Sequence, residues 1–432
     1  MNDSKKQKLE EYVVNVMNEN HIPGAAIAIS QNGKLFFQKG FGYRDIEKKE
    51  LVTPDTIFGV ASVTKSFTAM AILMLEQEGK LSVQDPVIKY LPEFTLKNVS
   101  DIKQIKIHHL LSHTTGLPPM NRREDLNKLN DHLNYLAEED VEMLGLPGEY
   151  FSYCNDTFLL LGLIIERLTG ILYRRYITEQ ILNPGKMYRS TFSLEEVAKY
   201  DNVSVPYVYN KKTGRYEKQD WPTLGNYEVG GGIRSNVLDL LKYGQLFIGD
   251  LARISKSLLE KMWEPVYQTS DNTFYGYALS VTPNYSGVTL VEHSGGQPGV
   301  SSNFGFIPEE NIVVSVLTNV SGAPSSDIWL AAVNAALNLP LDQKRVEEPA
   351  YQNAHEDFTR FKGDYYSAEG YSVSIVEKEG ELQALIDEEL IGLKQTGPET
   401  FSSHTGQKLR FYFEQQEQAW AVLFGSRMLR RR

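Results

Sequence analysis

Ser62 and Lys65 are the residues whose types and spacing first suggest covalent chemistry. They belong to Ser62-Val63-Thr64-Lys65, which opens a largely apolar run at 66–75 that is predicted to be helical. A serine at a helix start has its hydroxyl beside unpaired backbone N–H groups and the positive end of the helix dipole. A lysine three residues later lies on the same face. The pair therefore brings a nucleophile near a nitrogen base, although the same residues also fit an N-cap serine beside a solvated lysine.

Two later segments place polar residues at the ends of predicted elements. Tyr153-Cys154-Asn155 precedes an apolar helix at 158–165, and His293-Ser294-Gly295-Gly296 ends a predicted strand. Such short motifs also occur by chance, since Tyr351-Gln352-Asn353 repeats the Tyr-x-Asn spacing in a charged segment. The informative feature is that the motifs at 62–65, 153–155 and 293–296 occur in this order, each at the start or end of a predicted helix or strand.

The composition indicates a globular protein long enough for two domains. The chain has 432 residues, and its 44 basic and 55 acidic residues give a net charge of −11, which argues against a nucleic-acid partner. Cys154 is the single cysteine and is interpreted as structural, so no disulfide framework is expected. We expect a cytoplasmic protein without a membrane span, because no apolar signal core or long apolar run is seen; a leader removed beforehand would leave the same sequence. The basic segment 427–432 is interpreted as a solvated tail.

The order of elements predicts an α+β catalytic domain over residues 1–340. Asn32-Gly33 between apolar stretches predicts a β-hairpin, and Ser235 is predicted to cap a helix. The other predicted strands are 274–281, 288–293, 302–307 and 312–317, and the helices include 5–20, 236–247 and 325–337. Strands from both ends of the domain imply one mostly antiparallel sheet flanked by helices, with residues 85–200 as an all-helical insertion.

The composition changes after this domain. Residues 341–357 carry prolines and many charges and are predicted to be a linker. Residues 358–432 contain short alternating strands, such as 371–375 and 409–413, separated by glycine turns. This pattern predicts a small all-β barrel domain.

Ser62-x-x-Lys65, Tyr153-x-Asn155 and His293-x-Gly295, in this order, resemble the serine β-lactamase and penicillin-binding protein superfamily. The most similar branch is class C-like, with D-aminopeptidases, esterases and low-molecular-weight penicillin-binding proteins, and residues 110–118 resemble a loop of that branch. The resemblance covers about residues 10–340 and implies a β-lactamase-like fold. The tail resembles the lipocalin-like barrel appended to some members.

The resemblance implies a role for each motif residue. Ser62 would be the nucleophile, Lys65 and Tyr153 would share acid–base work, and His293 would orient or tune Tyr153. The N–H groups of Ser62 and Gly296 would form an oxyanion hole, where loss of one donor typically costs about 10²–10³ in rate. The residues that would contact substrate are Asn155, Ser294, Gly295 and Gly296.

The identity of the base stays open at the level of sequence. An unperturbed tyrosine has a pKa of about 10, so ionising Tyr153 near pH 7 costs about 4 kcal/mol. An ammonium about 4 Å away returns about 4 kcal/mol at an effective dielectric of 20, so Lys65 could nearly offset that cost. The reverse scheme, with neutral Lys65 as base and Tyr153 passing a proton to the leaving group, is equally open, because coupled groups titrate as a unit.

The third motif departs from that of the penicillin-recognising members, which usually carry Lys-Thr-Gly. His293 stands at the lysine position, and an ordinary histidine is mostly neutral at pH 7. The strand therefore lacks a permanent cation for a substrate carboxylate. This difference favours esters or D-amino-acid-containing peptides as substrates, without excluding slow acylation by penicillins.

The sequence thus predicts a serine acyl hydrolase that acts through a covalent acyl-enzyme on a small-molecule or peptide substrate. The alternatives are a D-Ala-D-Ala carboxypeptidase or weak β-lactamase and, from another class, a non-hydrolysing sensor or scaffold with the same fold. No cofactor or metal is predicted, since His108, His109 and His113 lack a metal-ligand spacing with a carboxylate. Gly230-Gly231-Gly232 lacks the residues of a phosphate loop and is interpreted as a cleft rim. Homo-oligomerisation through the barrel is an open option.

Overall fold

The computed structural model describes residues 3–99, 101–249, 254–346, 351, 358–386, 388–403, 406–414 and 417–432. Most of the predicted linker, 341–357, lies outside these residues. The chain forms two compact units. The first comprises Met1–Val83, Leu161–Val266 and Asn272–Arg345, and the second comprises Gln84–Leu160, Tyr267–Asp271 and Val346–Arg432.

Within the described residues, helices predominate between residues 64 and 197 and strands predominate from residue 267 onward. The α-helices are α1 Asp3–Glu19, α2 Thr64–Gln77, α3 Ile107–Ser112, α4 Leu129–Glu138, α5 Asn155–Thr169, α6 Tyr173–Ile177, α7 Leu194–Val197, α8 Glu228–Gly231, α9 Val237–Ile248, α10 Lys256–Glu260 and α11 Ser325–Leu337. The strands are β1 Gly24–Gln31, β2 Lys34–Asp45, β3 Glu50–Leu51, β4 Phe58–Gly59, β5 Tyr207–Asn210, β6 Arg215–Lys218, β7 Arg234–Ser235, β8 Tyr267–Ser270, β9 Thr273–Tyr275, β10 Ser280–Tyr285, β11 Val288–Gln297, β12 Val300–Ile307, β13 Ile312–Thr318, β14 Gly363–Tyr366, β15 Ser372–Lys378, β16 Glu381–Ile386, β17 Glu389–Gln395, β18 Thr400–Ser403, β19 Lys408–Tyr412, β20 Ala421–Phe424 and β21 Arg427–Arg431. None of the helices in this part of the chain has the length and apolar character needed to cross a membrane.

The first unit is built on an antiparallel sheet whose strands come from both ends of the segment. Its order is β3-β2-β1-β13-β12-β11-β10-β9, and Ala25 of β1 pairs with Thr318 of β13. Helices cover both faces of β13. Trp329 of α11 donates its indole N–H to the carbonyl of Val314 at 3.1 Å, while the side chain of the next residue, Ser315, bonds α9 at Val237. Successive strand side chains point to opposite faces, which explains why β13 is buried throughout. The predicted sheet is confirmed.

The second unit contains α3, α4, β8 and a closed barrel. Strands β14 to β21 pair antiparallel in sequence order, and β14 closes the ring against β21, where Tyr365 pairs with Arg431. The short strands alternate: Val373 and Ile375 of β15 are buried, while the intervening Ser374 is half-buried. Alternation of this kind fills the interior of a small barrel. The predicted all-β barrel is confirmed.

Three details of the sequence prediction are wrong. Residues 274–281 form two strands, β9 and β10, because the chain turns at Ala278, whose φ is 54°. The cap of α9 is Asn236, whose side chain accepts a hydrogen bond from the backbone of Asp239 at 2.8 Å; Ser235 lies in β7. The basic segment 427–432 is not a solvated tail, since it supplies β21 with buried Met428 and Leu429.

The helical insertion at 85–200 stays a prediction. Residues 84–160 group with the barrel in the second unit, and residues 161–266 belong to the first. The predicted domain boundaries at residues 340 and 358 stay a prediction.

Candidate active site

Ser62 lies in a tight 3₁₀ turn, Ala61–Val63, that runs directly into α2. The chain enters this turn from β4, which pairs with β7, and the N–H of Val60 bonds the carbonyl of Ile233 at 3.0 Å. Ala61 has a φ of 46°, in the left-handed region that non-glycine residues rarely adopt. Ser62 is partly exposed between two buried neighbours. The turn therefore presents the hydroxyl on a rigid, buried frame.

Lys65 is almost fully buried, at 1% exposure, one turn after the serine. Its ammonium nitrogen lies 3.4 Å from the hydroxyl oxygen of Ser62 and donates to the carbonyl of Gly230 at 3.0 Å. A buried charge is retained only where polar groups compensate its desolvation. The solvated-lysine interpretation of this motif is therefore wrong, and Lys65 is within reach of the serine proton.

Gly230 is a site residue whose contact with Lys65 sequence reasoning missed. A Cβ at this position would lie 2.8 Å from Nζ of Lys65 and 3.3 Å from its Cε. The short helix α8 is fixed there because the carbonyl of Val229 accepts a hydrogen bond from Thr68 of α2 at 2.7 Å. The glycine run signalled a close approach of backbone, but nothing in the sequence identified Lys65 as the group approaching.

Strand β11 packs against the serine turn through its glycines. A Cβ on Gly295 would lie 2.4 Å from the carbonyl oxygen of Val60, whereas one on Gly296 would meet nothing within 4 Å. Ser302, which pairs with Gly295 on β12, donates its hydroxyl to the same Val60 carbonyl at 2.8 Å. Gly295 therefore lets the strand lie against the turn, and Gly296 leaves open space. The oxyanion hole of Ser62 and Gly296 stays a prediction.

His293 is buried on β11, with 5% exposure, and is held in a neutral form. Burial, with the nearby positive charge of Lys65, lowers its pKa to about 4. Its Nδ1 lies 2.5 Å from the carbonyl of Ser294 and its Nε2 lies 2.9 Å from the hydroxyl of Tyr275. Because a carbonyl only accepts, Nδ1 carries the proton and Nε2 accepts from Tyr275. Sequence reasoning missed Tyr275, which belongs to no motif, and the predicted role of His293 toward Tyr153 stays a prediction.

Tyr153 is buried in the second unit, beside a residue of the loop at 110–118. Its ring lies 4.1 Å from that of His113, measured between centroids. His113 ends α3 with a φ of 54°, and its Nδ1 accepts a hydrogen bond from the backbone of Cys154 at 3.3 Å. The N–H of Tyr153 itself donates to the carbonyl of Ser426 in the barrel at 2.8 Å. Tyr153 is thus fixed by both the helical segment and the barrel.

Asn155, the first residue of α5, is bonded to a barrel residue. Its side-chain NH₂ donates to Glu369 at 2.8 Å. Glu369 also accepts from the guanidinium of Arg427 at 3.0 Å, and that guanidinium lies 4.8 Å from the ring centroid of Tyr153. Sequence reasoning missed both barrel residues, because neither belongs to a motif and Arg427 was assigned to a tail.

The predicted site residues thus fall into two groups. Ser62 and Lys65 lie together in the first unit, with β11 packed on their turn, while Tyr153 and Asn155 lie together in the second. Their convergence stays a prediction. Ser294 has an exposed side chain. Cys154 between the two motif residues is fully buried, and burial raises its thiol pKa to about 12, which suits a structural role and not a nucleophile.

Comparison with known proteins identifies the family. A family model described as Beta-lactamase matches residues 9–337. The chain belongs to the β-lactamase family. The serine β-lactamase and penicillin-binding protein resemblance is therefore confirmed, and so is the β-lactamase-like fold followed by a barrel.

This β-lactamase-family chain is similar to three known proteins along most of its length. Protein flp of Staphylococcus aureus (strain MW2) is 33% identical over 330 residues, which cover 74% of this chain and 64% of that protein. Penicillin-binding protein 4* of Bacillus subtilis (strain 168) is 28% identical over 319 residues, 69% of this chain and 68% of that protein. A solved octameric penicillin-binding protein homologue from Pyrococcus abyssi is 31% identical with a TM-score of 0.75, covering 98% of this chain and 99% of the other. The matched region thus spans only about two thirds of the length of the first two relatives.

Proposed function

We propose that the protein is a serine acyl hydrolase that forms a covalent acyl-enzyme on Ser62. The observation that carries this proposal is the buried amine nitrogen of Lys65, 3.4 Å from the hydroxyl oxygen of Ser62; a glycine of β11 packs against the turn that holds this serine. The family supports it, since β-lactamases and penicillin-binding proteins act through an acylated serine.

In the proposed reaction, the Ser62 oxygen attacks the carbonyl carbon of an ester or amide while its proton passes to the Lys65 and Tyr153 pair. Negative charge develops on the carbonyl oxygen, where the N–H groups of Ser62 and Gly296 would stabilise it. The pair then returns the proton to the leaving alcohol or amine. Water then attacks the carbonyl carbon of the acyl-enzyme and gives a proton to the same pair. The bond to the Ser62 oxygen breaks, this oxygen regains a proton, and the acid product leaves.

The electrostatics of β11 favour esters or D-amino-acid-containing peptides as substrates. With its pKa lowered to about 4, His293 carries no charge at pH 7 and cannot pair with a substrate carboxylate from the position usually held by lysine. Acylation by neutral esters should therefore exceed acylation by carboxylate-bearing donors of equal leaving group. Equal rates for the two kinds of donor over pH 6–9 would contradict this argument.

A second candidate, a D-Ala-D-Ala carboxypeptidase or weak β-lactamase, is favoured by the relatives named as penicillin-binding proteins. A non-hydrolysing sensor or scaffold is the alternative from another class. The buried Lys65 speaks against it, because a scaffold gains nothing from an ammonium held beside a serine.

Labelling separates these candidates. The native protein should gain one fluorophosphonate adduct by intact mass, Ser62→Ala should gain none, and a p-nitrophenyl ester should give a transient adduct with turnover. A stable penicillin adduct with no ester turnover would support the penicillin-binding candidate. Absence of any adduct on the native protein would support the scaffold.

We also propose a homo-oligomer, because the Pyrococcus abyssi homologue, similar over nearly the whole chain, is described as octameric. Light scattering coupled to gel filtration tests this directly. A mass equal to the 48.9 kDa of one chain at micromolar concentration would refute it.

A further inference from the structure

Two charged barrel residues enclose the tyrosine motif within the second unit. Arg427, at the start of β21, lies over the ring of Tyr153 at 4.8 Å and over the ring of Tyr371 at 4.9 Å. Its Nε donates to Glu369 at 3.0 Å and its Nη1 to the hydroxyl of Ser426 at 2.9 Å. The other carboxylate oxygen of Glu369 accepts from Asn155 at 2.8 Å. The motif and the barrel thus share one hydrogen-bonded network.

The network is shielded enough for its charges to act on the phenol. The Arg427 side chain is 20% exposed and that of Glu369 only 5%, and charges in such surroundings are screened less than surface charges. The adjacent backbone fixes the geometry, because Tyr153 donates its N–H to Ser426 and the N–H of Met428 bonds the Ser152 hydroxyl at 3.2 Å. Ser426 and Met428, the two neighbours of Arg427, therefore hydrogen-bond to Tyr153 and to its neighbour Ser152.

We propose that Arg427 and Glu369 are positioning residues of the active site, supplied by the barrel. Arg427 stabilises negative charge on Tyr153 during proton transfer. Glu369 partly offsets the positive charge of Arg427 and orients the amide of Asn155. This inference rests on the proposed function, since it assigns Tyr153 a share in acid–base work. It makes the barrel part of the catalytic apparatus and not only an appended module.

The two residues have opposite charges, so their removal has opposite effects. Among the described residues of its unit, the groups that face Tyr153 include His113 from the end of α3 and Arg427 from β21, with Glu369 and Tyr371 beyond the arginine. An opposite charge within about 4–6 Å favours the ionised form by about 1–3 pH units, and the carboxylate reduces this effect. We expect the acidic limb of the kcat/KM profile to move up by about one pH unit in Arg427→Gln, with about tenfold slower acylation below the limb. Glu369→Gln should move it down by about half a unit.

The experiment measures p-nitrophenyl ester turnover from pH 5 to 10 for the full chain, Arg427→Gln, Glu369→Gln and a control. The control is Arg430→Gln, which removes another β21 cation; Arg430 bonds the carbonyl of Met143 and pairs with Glu142. Thermal unfolding and fluorophosphonate labelling of Ser62 accompany each profile. The control should keep the native profile.

Opposite limb shifts in the two variants, with the control unchanged, support the proposal. Shifts of the same sign indicate a structural role and overturn it, and so does an Arg427→Gln profile that coincides with the native one. If Arg427→Gln fails to fold, Glu369→Gln alone decides, because a merely structural carboxylate would not move the limb downward. Failure of the native protein to label at Ser62 overturns the proposed function instead.

Discussion

Replacing Gly230 by alanine tests the role of Lys65 without touching any group that reacts. The added Cβ would lie 2.8 Å from Nζ of Lys65, whereas carbon and nitrogen atoms need about 3.4 Å. The ammonium must therefore move by roughly 0.6 Å, which disturbs its 3.0 Å bond to the Gly230 carbonyl and its 3.4 Å approach to Ser62. Gly230 does not have a positive φ, so alanine meets no backbone strain.

The size of the effect follows from these distances. A misplacement of about 1 Å in a catalytic geometry can cost about 10²-fold in rate, and a hydrogen bond to a charged group contributes about 1.5–3 kcal/mol. We expect Gly230→Ala to lower the rate of Ser62 acylation by roughly 10- to 100-fold. Overpacking typically reduces the free energy of unfolding by about 1–3 kcal/mol, and we expect the low end of this range because Nζ is the far end of a flexible side chain.

Gly231 provides the matched control, one residue along the same helix. A Cβ there would meet only ordinary contacts, at 3.8 Å from Leu224 and 3.9 Å from Ala61. Gly231→Ala should react like the native protein and be equally or slightly more stable, by up to about 1 kcal/mol. The assay is the second-order rate of fluorophosphonate labelling, with denaturant unfolding of each variant. If the two alanine variants label within twofold of each other, Lys65 does not act as described.

Three further outcomes follow from burial and charge. Lys65→Met should lower ester turnover by at least about 10² while Ser62 stays in place, and turnover near the native rate would exclude Lys65 from proton transfer. Cys154, with its thiol pKa raised to about 12 by burial, should resist iodoacetamide in the native state at pH 8 and react after unfolding; rapid native labelling would contradict its burial. Burial lowers the pKa of His132 to about 4, so the unfolded chain binds this proton first as the pH falls. The free energy of unfolding should therefore stay constant above about pH 6.5 and fall by up to about 3 kcal/mol by pH 4. His132→Asn should lack this part of the pH dependence. Denaturant unfolding of both proteins at pH 7 and 4.5 measures the difference.

Much of the fold can be predicted from local patterns in the sequence. Asn32-Gly33 fixes a hairpin because few other residues adopt its turn, and the helix Ser325–Leu337 was predicted to the residue. The division of 274–281 into two strands was not predictable, because it depends on Ala278 adopting a positive φ. Only tertiary contacts can hold a non-glycine residue there.

The candidate site was predictable where chemistry and local spacing coincide. Ser62 and Lys65 are one helical turn apart, so their approach is a local property of the chain. The contacts found only in the structure are those of Gly230 with Lys65, of Tyr275 with His293 and of Glu369 with Asn155. Each contact joins residues that are distant in sequence, and no local spacing or periodicity predicts such a contact.

The contact between β11 and the serine turn has a consequence for biosynthesis. Residues Val60 and Ser62 leave the ribosome long before Gly295, the residue that lies against them. At roughly 5–20 residues per second, tens of seconds separate the two events. A nascent chain therefore carries Ser62 for that interval without the strand that packs against its turn in the folded protein.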